Sequence, residues 1–413
     1  MSTKLKVTIL ASSLAILLFT IVGGFVNVRA SSNEGAYRQL SVYSEVLSRI
    51  RLEYVEEPNI PVVTNGALHG LLESLDANSS YLSAAEYKRY KTTMKTDGKA
   101  DIGAAVSKRF GYAAVVAVIP GGPADKAGVE NSDIIESIEG KSTHDMSLAE
   151  IRGMLSGEVG STITVAVVRP RRAEPEKIVI TRDVVTIPPV SDKMLADNVG
   201  YIKVDAFPEG KTQEIAAKIR DLQKQGAKKL VLDLRNSASG AESEGVATAN
   251  LFLDHGTITY LQGQKYPRQA FNADPAKDIT RLPVAVLVNR GTAGPAEIVA
   301  AAILENARGD VVGDKTFGDG SVQKLIEMPD NSALILSVAK YYSPGGKAIQ
   351  DASVTPNVVV ADAIEDDGGL PDVDEQAAPG EKPGEKKEEK PKNLQDDQLN
   401  KALEVLKNRE SKG

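Results

Sequence analysis

The groups in this chain that could carry hydrolytic chemistry are hydroxyls set among glycines and other small residues. Thr292 lies in Gly291-Thr292-Ala293-Gly294-Pro295-Ala296-Glu297, and Ser321 in Phe317-Gly318-Asp319-Gly320-Ser321-Val322-Gln323. Ser237 and Ser239 fall in Ser237-Ala238-Ser239-Gly240. A hydroxyl becomes a nucleophile only when a base takes its proton. Asp319, Lys315 and Lys324 are the ionisable groups around the second segment, and an exposed carboxylate of ordinary pKa is a poor base for an alcohol. Thr292 in a small-residue turn and Ser321 beside Gly320 also suit plain structural roles. The chain has no cysteine, which removes thiol nucleophiles, disulfides and thiolate metal sites together. His69, His144 and His255 fall in separate segments, and neither a His-Glu-x-x-His nor a Gly-x-Ser-x-Gly string occurs, so no metal and no cofactor is expected.

These segments must be held by ordered elements, and apolar periodicity says which. From residue 199 onward, nearly all-apolar strands at 200–204, 229–233 and 284–288 alternate with helices at 212–225, 242–253 and 296–306, and a late strand follows at 333–341. Strands of that kind belong in a sheet covered on both faces. Upstream, 101–183 reads as short strands at 113–119, 133–138, 163–169 and 177–181, with a helical turn at 125–128. A helix is predicted over 147–155, where Ser147 and Glu150 have the spacing of a capping box. Before that come short helices at 37–54, 62–75 and 84–94, interrupted by the turn-rich stretch 76–80. Beyond 361 the chain is poor in apolar residues and rich in Pro, Gly, Glu and Lys, the composition of a disordered linker. It leads to an amphipathic helix at 394–406 with Leu399, Leu403 and Leu406 on one side, either a docking element or a helix packed on the body.

Composition bounds the rest. A chain of 413 residues, 42% hydrophobic and 25% charged, is expected to form a globular protein of more than one domain. A net charge of -7 argues against nucleic acid as a partner and against binding an anionic membrane through a basic surface. Lys4 and Lys6 precede an apolar run at 7–28, followed by Val28-Arg29-Ala30 and two serines. That is the pattern of a signal peptide or of an uncleaved signal anchor in the membrane. Export to the periplasm or cell envelope is the expectation, with a tether to the inner membrane if the segment is kept.

Several strings, taken in order, resemble the carboxyl-terminal processing (tail-specific) proteases, serine peptidase family S41. They are Ser74-Leu75-Asp76 with Ser79-Ser80-Tyr81-Leu82, and Pro123-Ala124-Asp125-Lys126-Ala127-Gly128 with Asp133-Ile134-Ile135. Val231-Leu232-Asp233-Leu234-Arg235-Asn236, Val286-Leu287-Val288-Asn289 and Gly313-Asp314-Lys315-Thr316-Phe317-Gly318 follow, then Lys340-Tyr341-Tyr342-Ser343-Pro344 and Thr355-Pro356. The resemblance runs from 37 to 360. It implies an α/β multidomain fold: a signal peptide or anchor at 1–30, a helical region at 31–98 and a PDZ-like β-rich domain at 99–183. A protease core of crotonase-like β-β-α type at 184–362, a disordered linker at 363–392 and a short C-terminal helix at 393–413 complete it.

The resemblance also implies a mechanism that this chain lacks in its usual form. The family's catalytic serine falls at Gly294 and its lysine base at Asp319, while the lysine's supporting glutamine is retained as Gln323. The residue after the serine donates an N–H to the oxyanion, and here it is Pro295, which has none. The opposing donor comes from a Pro-Gly-Gly loop that reads Ala238-Ser239-Gly240 here, putting Ser239 where a positive φ would strain it. The PDZ-like part implies binding of protein or peptide C-termini by strand addition. Ile102 and Gly103 would form the carboxylate loop, Ala104, Ala105 and Val106 the receiving strand, and Leu148, Ile151 and Leu155 the flanking helix. The expectation from these losses is a chain that is not an enzyme: a pseudoprotease binding peptide ends, in a homo- or hetero-oligomer with an active relative. The alternatives are an active endopeptidase with rearranged catalytic residues and a structural envelope protein with a dead groove.

Overall fold

The computed structural model describes residues 38–94, 100–169, 174–350, 352–361 and 396–410. The expected signal or anchor segment and the expected linker lie outside the described residues. Among the described residues no helix is long and apolar enough to cross a membrane. These residues fall into two units divided after Leu68. In the first, residues 38–53 form a helix. The second, from His69, holds three sheets and every feature of the candidate site.

The central sheet runs Val358–Val359, Asp310–Gly313, Val284–Val288, Lys229–Asp233, Val199–Lys203, Ser191–Leu195 in spatial order. All neighbours are parallel except the last pair. Alternate side chains of each strand face opposite ways, and both faces are covered. Ile202, Leu230, Leu232, Val284 and Val286 pack against helices Lys211–Lys224, Glu242–Asn250 and Pro295–Glu305. On the other face Val199, Val231, Ala285, Leu287 and Val312 receive Ala402 and Leu406 of helix Asp397–Glu410. The terminal amphipathic helix is thus part of the core packing, fastened at its start by a double contact from Arg235 to Asp396 at 2.8 Å for each bond.

The PDZ-like sheet has the order Ala104–Arg109, Tyr112–Val118, Ile134–Ile138, Thr162–Val168, Glu176–Thr181. Its helix, Leu148–Leu155, begins with the capping box its sequence predicts. The Ser147 Oγ accepts from the Glu150 N–H at 3.2 Å, and the Glu150 carboxylate accepts from the Ser147 N–H at 3.1 Å. The third sheet is antiparallel and joins distant segments. Ser80–Leu82 pairs with Ala333–Tyr342, which also pairs with Ser321–Glu327 and Thr257–Gln262. Sequence periodicity assigned Ser80 to a turn and left the strand at Ser321–Glu327 unseen.

Near the start of this second unit, His69 Nε2 lies 3.3 Å from Glu86 Oε2, and both side chains are largely shielded. Contact with Glu86 raises the His69 pKa. Burial works against the Glu86 charge, but the contact with His69 and the bonds from Ser83 outweigh it and lower its pKa to about 2. A raised histidine stabilises most below its ordinary 6.5, and a depressed carboxylate most above its ordinary 4.5. The difference in melting temperature between the wild type and His69→Gln is therefore expected to be greatest between those values. It should shrink as pH rises through the raised His69 pKa or falls toward that of Glu86. A difference independent of pH would refute this account.

Candidate functional site

The site is built where the central strands end. Strand Lys229–Asp233 runs into a loop containing Asn236 and Ser239, and strand Val284–Val288 runs into Asn289 and Thr292. The two loops are stitched together. Asn289 Nδ2 donates to Asn236 Oδ1 at 2.9 Å, and the Ala293 N–H donates to the Ser237 carbonyl at 2.9 Å. Thr292 is fully buried, with its hydroxyl donating to the Leu234 carbonyl at 2.9 Å and accepting from the Asn289 N–H at 3.0 Å. Both bonding directions of that hydroxyl are used, so Thr292 is a structural residue. Ser237 is also fully buried.

Ser239 and Gly240 pass beside Phe207. The Phe207 N–H donates to the Ser239 carbonyl at 2.7 Å, and the Ala241 N–H to the Phe207 carbonyl at 2.9 Å. A Cβ on Gly240 would stand 2.2 Å from the Phe207 carbonyl oxygen, and its φ is +130°, so only glycine fits. The left-handed positions of this loop are Asn236, at φ 59°, and Gly240; Ser239 keeps an ordinary φ, free of the strain expected for it. Among the described residues the N–H groups of Ser239 and Gly240 donate to no protein acceptor.

Gly294 precedes helix Pro295–Glu305 with φ 58° and ψ -119°. A Cβ built there meets only the Asp319 carbonyl, at 3.9 Å, so the position opens onto space. Pro295 occupies the first helical position, where a missing N–H costs the helix nothing. The residue that organises this corner is Glu297, to which the sequence assigned no role. It is fully buried and accepts from the Gly294 N–H at 3.0 Å and the Asp319 and Gly318 N–H groups at 2.8 Å each. It also accepts from the Thr316 hydroxyl. Burial pushes the Glu297 pKa up to about 8, against the pull of these donors.

Asp319 and Ser321 share a partner from the N-terminal part of the unit. Asn78 Nδ2 donates to Asp319 Oδ1 at 3.3 Å and to Ser321 Oγ at 3.1 Å. Gln323 donates to the same Ser321 oxygen at 2.7 Å, so the retained glutamine now holds a serine hydroxyl. Among the described residues no group of His, Asp and Glu side chains is arranged to hold a metal ion.

The PDZ-like groove meets this corner. Its strand Ala104–Arg109 lies at the edge of its sheet beside helix Leu148–Leu155. Ala104, Ala105, Val106 and Leu155 line a pocket of about 410 Å³. Ile102, Gly103, Leu148 and Ile151, also expected in the groove, do not line it; the three larger ones are buried in the domain's core. Polar residues that the sequence reading missed line it instead: Asp101, Ser107, Arg152 and Ser156. Arg152 reaches from the helix across to the Val106 carbonyl, at 3.1 Å. Loss of hydration at the pocket wall lowers the Arg152 pKa, against the attraction of Asp319. The same pocket is lined by Ala238, Ser239, Gly240, Ala293, Phe317 and Asp319 of the core, so groove and cleft are one continuous space.

Comparison with known proteins places this geometry in company. The family model for peptidase family S41 matches residues 198–360, and that for a PDZ domain matches 115–169. The chain is 31% identical over 358 residues to the carboxy-terminal-processing protease of Bartonella bacilliformis, covering 83% of this chain and 82% of that protein. It is 30% identical over 331 residues to the carboxy-terminal processing protease CtpA of Bacillus subtilis, covering 80% and 70%. A solved structure of a photosystem II D1 C-terminal processing protease superposes with a TM-score of 0.64 at 28% identity, covering 76% of this chain and 86% of that one. These relatives overturn the expectation that the chain is not an enzyme. They are named as proteases, and the similarity extends over most of this chain rather than over the PDZ part alone.

Proposed function

The chain belongs to peptidase family S41, and on that premise we propose that it is a serine-type endopeptidase with rearranged catalytic residues. It draws polypeptide along the PDZ groove into the cleft of the α/β core. The observation that carries this reading is the single pocket lined both by the edge strand's Ala104, Ala105 and Val106 and by the core's Ser239, Gly240 and Asp319. A segment added to that edge strand has the cleft beside it without leaving the pocket.

Gly294 offers no nucleophile, so the hydroxyl comes from a neighbouring loop. Thr292 and Ser237 are buried, whereas Ser239 is partly exposed and shares the pocket with Asp319. In this reading Ser239 Oγ bonds to the peptide carbonyl carbon while the Asp319 carboxylate takes its proton. Asp319 passes that proton to the departing amine as the C–N bond breaks, and water, deprotonated by Asp319 in turn, hydrolyses the Ser239 ester. The N–H groups of Ser239 and Gly240, which donate to no protein acceptor among the described residues, would then serve the oxyanion. A carboxylate base implies slow turnover. Lys4 and Lys6 ahead of the apolar run at 7–28 support activity outside the cytoplasm.

The test is cleavage of an unfolded model protein such as casein by the purified chain, beside Ser239→Ala and Ser321→Ala. Slow turnover that falls at least about tenfold in Ser239→Ala and persists in Ser321→Ala is expected. Loss in Ser321→Ala alone would move the nucleophile to the hydroxyl that Asn78 and Gln323 hold. Turnover no faster than buffer in the wild type would sink the reading.

A further inference from the structure

The head of the PDZ edge strand is the place where a peptide's terminal carboxylate would be received, because backbone N–H groups at such a turn make an anion-sized nest. Here the turn is Asp101-Ile102-Gly103-Ala104, with Gly103 at φ 74°. Its amide is already used. The Gly103 N–H donates to Asp101 Oδ1 at 2.9 Å, and the Ser156 hydroxyl, from the end of the flanking helix, donates to Asp101 Oδ2 at 2.7 Å. A carboxylate belonging to the chain itself therefore sits on the turn's donor, clamped from the helix side as a bound chain end would be.

Charge points the same way. The pocket's ionisable lining is Asp101, Asp319 and Arg152, and Arg152 is also bonded to the Val106 carbonyl. A free chain end would bring a third carboxylate against two cations, Arg152 in the lining and Arg182, whose charge interacts with Asp101 from outside it, and like charges in a partly dehydrated space repel strongly. An internal segment, or an end whose carboxylate is masked as an amide, carries no such charge. It can still pair with the outer edge of strand Ala104–Arg109, whose pocket-lining Ala104, Ala105 and Val106 are small and apolar, once Arg152 gives up the Val106 carbonyl.

We infer that Asp101 makes this groove select polypeptide without a free terminal carboxylate, so that it receives internal segments of unfolded chains rather than chain ends. The inference rests on the reading that the groove feeds the cleft. Asp101 is a specificity residue here; it takes no part in the bond-breaking step.

The test is a fluorescence titration of the full chain with one N-terminally labelled peptide of serine, glycine, alanine and valine, made as the free acid and as the C-terminal amide. Wild type is expected to bind the amide at least tenfold more tightly than the acid. Asp101→Gly, which empties the turn, is expected to reverse the order. Asp101→Asn retains an oxygen for the Gly103 N–H, removes the charge and guards against a folding artefact; the preference should shrink to less than threefold. Tighter binding of the acid by wild type would overturn the inference while leaving delivery along the groove intact. Binding of neither peptide by wild type or by Asp101→Gly would overturn the inference and the delivery reading together.

Discussion

A Gly294→Ser, Asp319→Lys double variant is expected to cleave unfolded protein at least about a hundredfold faster than the wild type. The space for the new hydroxyl exists, since a Cβ on Gly294 approaches nothing nearer than the Asp319 carbonyl at 3.9 Å. The backbone there, at φ 58° and ψ -119°, resists a side chain, at a cost of about 1–3 kcal/mol. The clamp from Glu297 to the Gly294 and Asp319 N–H groups is what can hold the serine in place against that cost. A lysine at 319 must lose its proton to act as base. The nearby Arg152 charge, felt now by Asp319 as an attraction, would push the lysine pKa down. Serine alone is expected to give little, because Asp319, a poor base for an alcohol, would remain in the lysine's place. Adding Pro295→Ala restores an N–H at the helix start and should give a further gain of about 10²–10³ in rate if that N–H reaches the oxyanion. Initial rates on casein for the single, double and triple variants make the check. A double variant no faster than the wild type would show that the loops no longer present these two positions to one substrate carbonyl.

Glu297→Ala is expected to be the most destabilising single substitution at the site, by about 4 kcal/mol. It leaves the Gly318 N–H and the Thr316 hydroxyl without this acceptor in a buried place, and the Gly294 and Asp319 N–H groups without it in a half-buried one. Glu297→Gln keeps one oxygen but turns an NH₂ toward donors, so it should fall between wild type and alanine. The pH dependence has a definite sign. With the folded pKa raised to about 8 from an ordinary 4.5, the folded state holds the proton more tightly than the unfolded state across that interval. Stability from this group is therefore full below the ordinary value and declines as pH rises toward the folded one. Urea unfolding at several pH values should show that slope in the wild type and lose it in Glu297→Gln. An unchanged slope would assign it to other groups.

The elements that the sequence disclosed are those whose residues answer to one local rule. Strands Lys229–Asp233 and Val284–Val288 are apolar because both sides of their sheet are covered, and their limits match the expectation. The Ser147–Glu150 cap needs two residues at one spacing and is present. What escaped depends on pairing at a distance. Strand Ser321–Glu327 mixes Ser, Gln, Lys and Glu with Val, Leu and Ile, and its partner strand fixes it. Ser80 reads as part of a turn until Ile335 is placed opposite it.

The site divides in the same manner. Gly294, Pro295 and Asp319 could be located from flanking strings, whereas the groove residues could not be sorted. The resemblance assigns Leu148, Ile151 and Leu155 to the groove together, but all three are packed in the domain's core, and of them only Leu155 also reaches the pocket, beside Arg152. Asp101 gave no signal, because its meaning lies in the Gly103 N–H and Ser156 hydroxyl that converge on it.

The proposed function carries the hazard of self-digestion, and the helix Asp397–Glu410 bears on that hazard. Its backbone is coiled into its own hydrogen bonds, and Ala402 and Leu406 are sealed under the central sheet. To serve as bait, this stretch would first have to peel away from Val231, Ala285, Leu287 and Val312 and break the Arg235–Asp396 clasp. Arg235 also grips Asp233 at the mouth of the loop that carries Ser239. A copy whose tail has come loose therefore loses the Asp396 half of that brace, so on the proposed function the molecule most exposed to attack is also the one whose Ser239 loop is less firmly held.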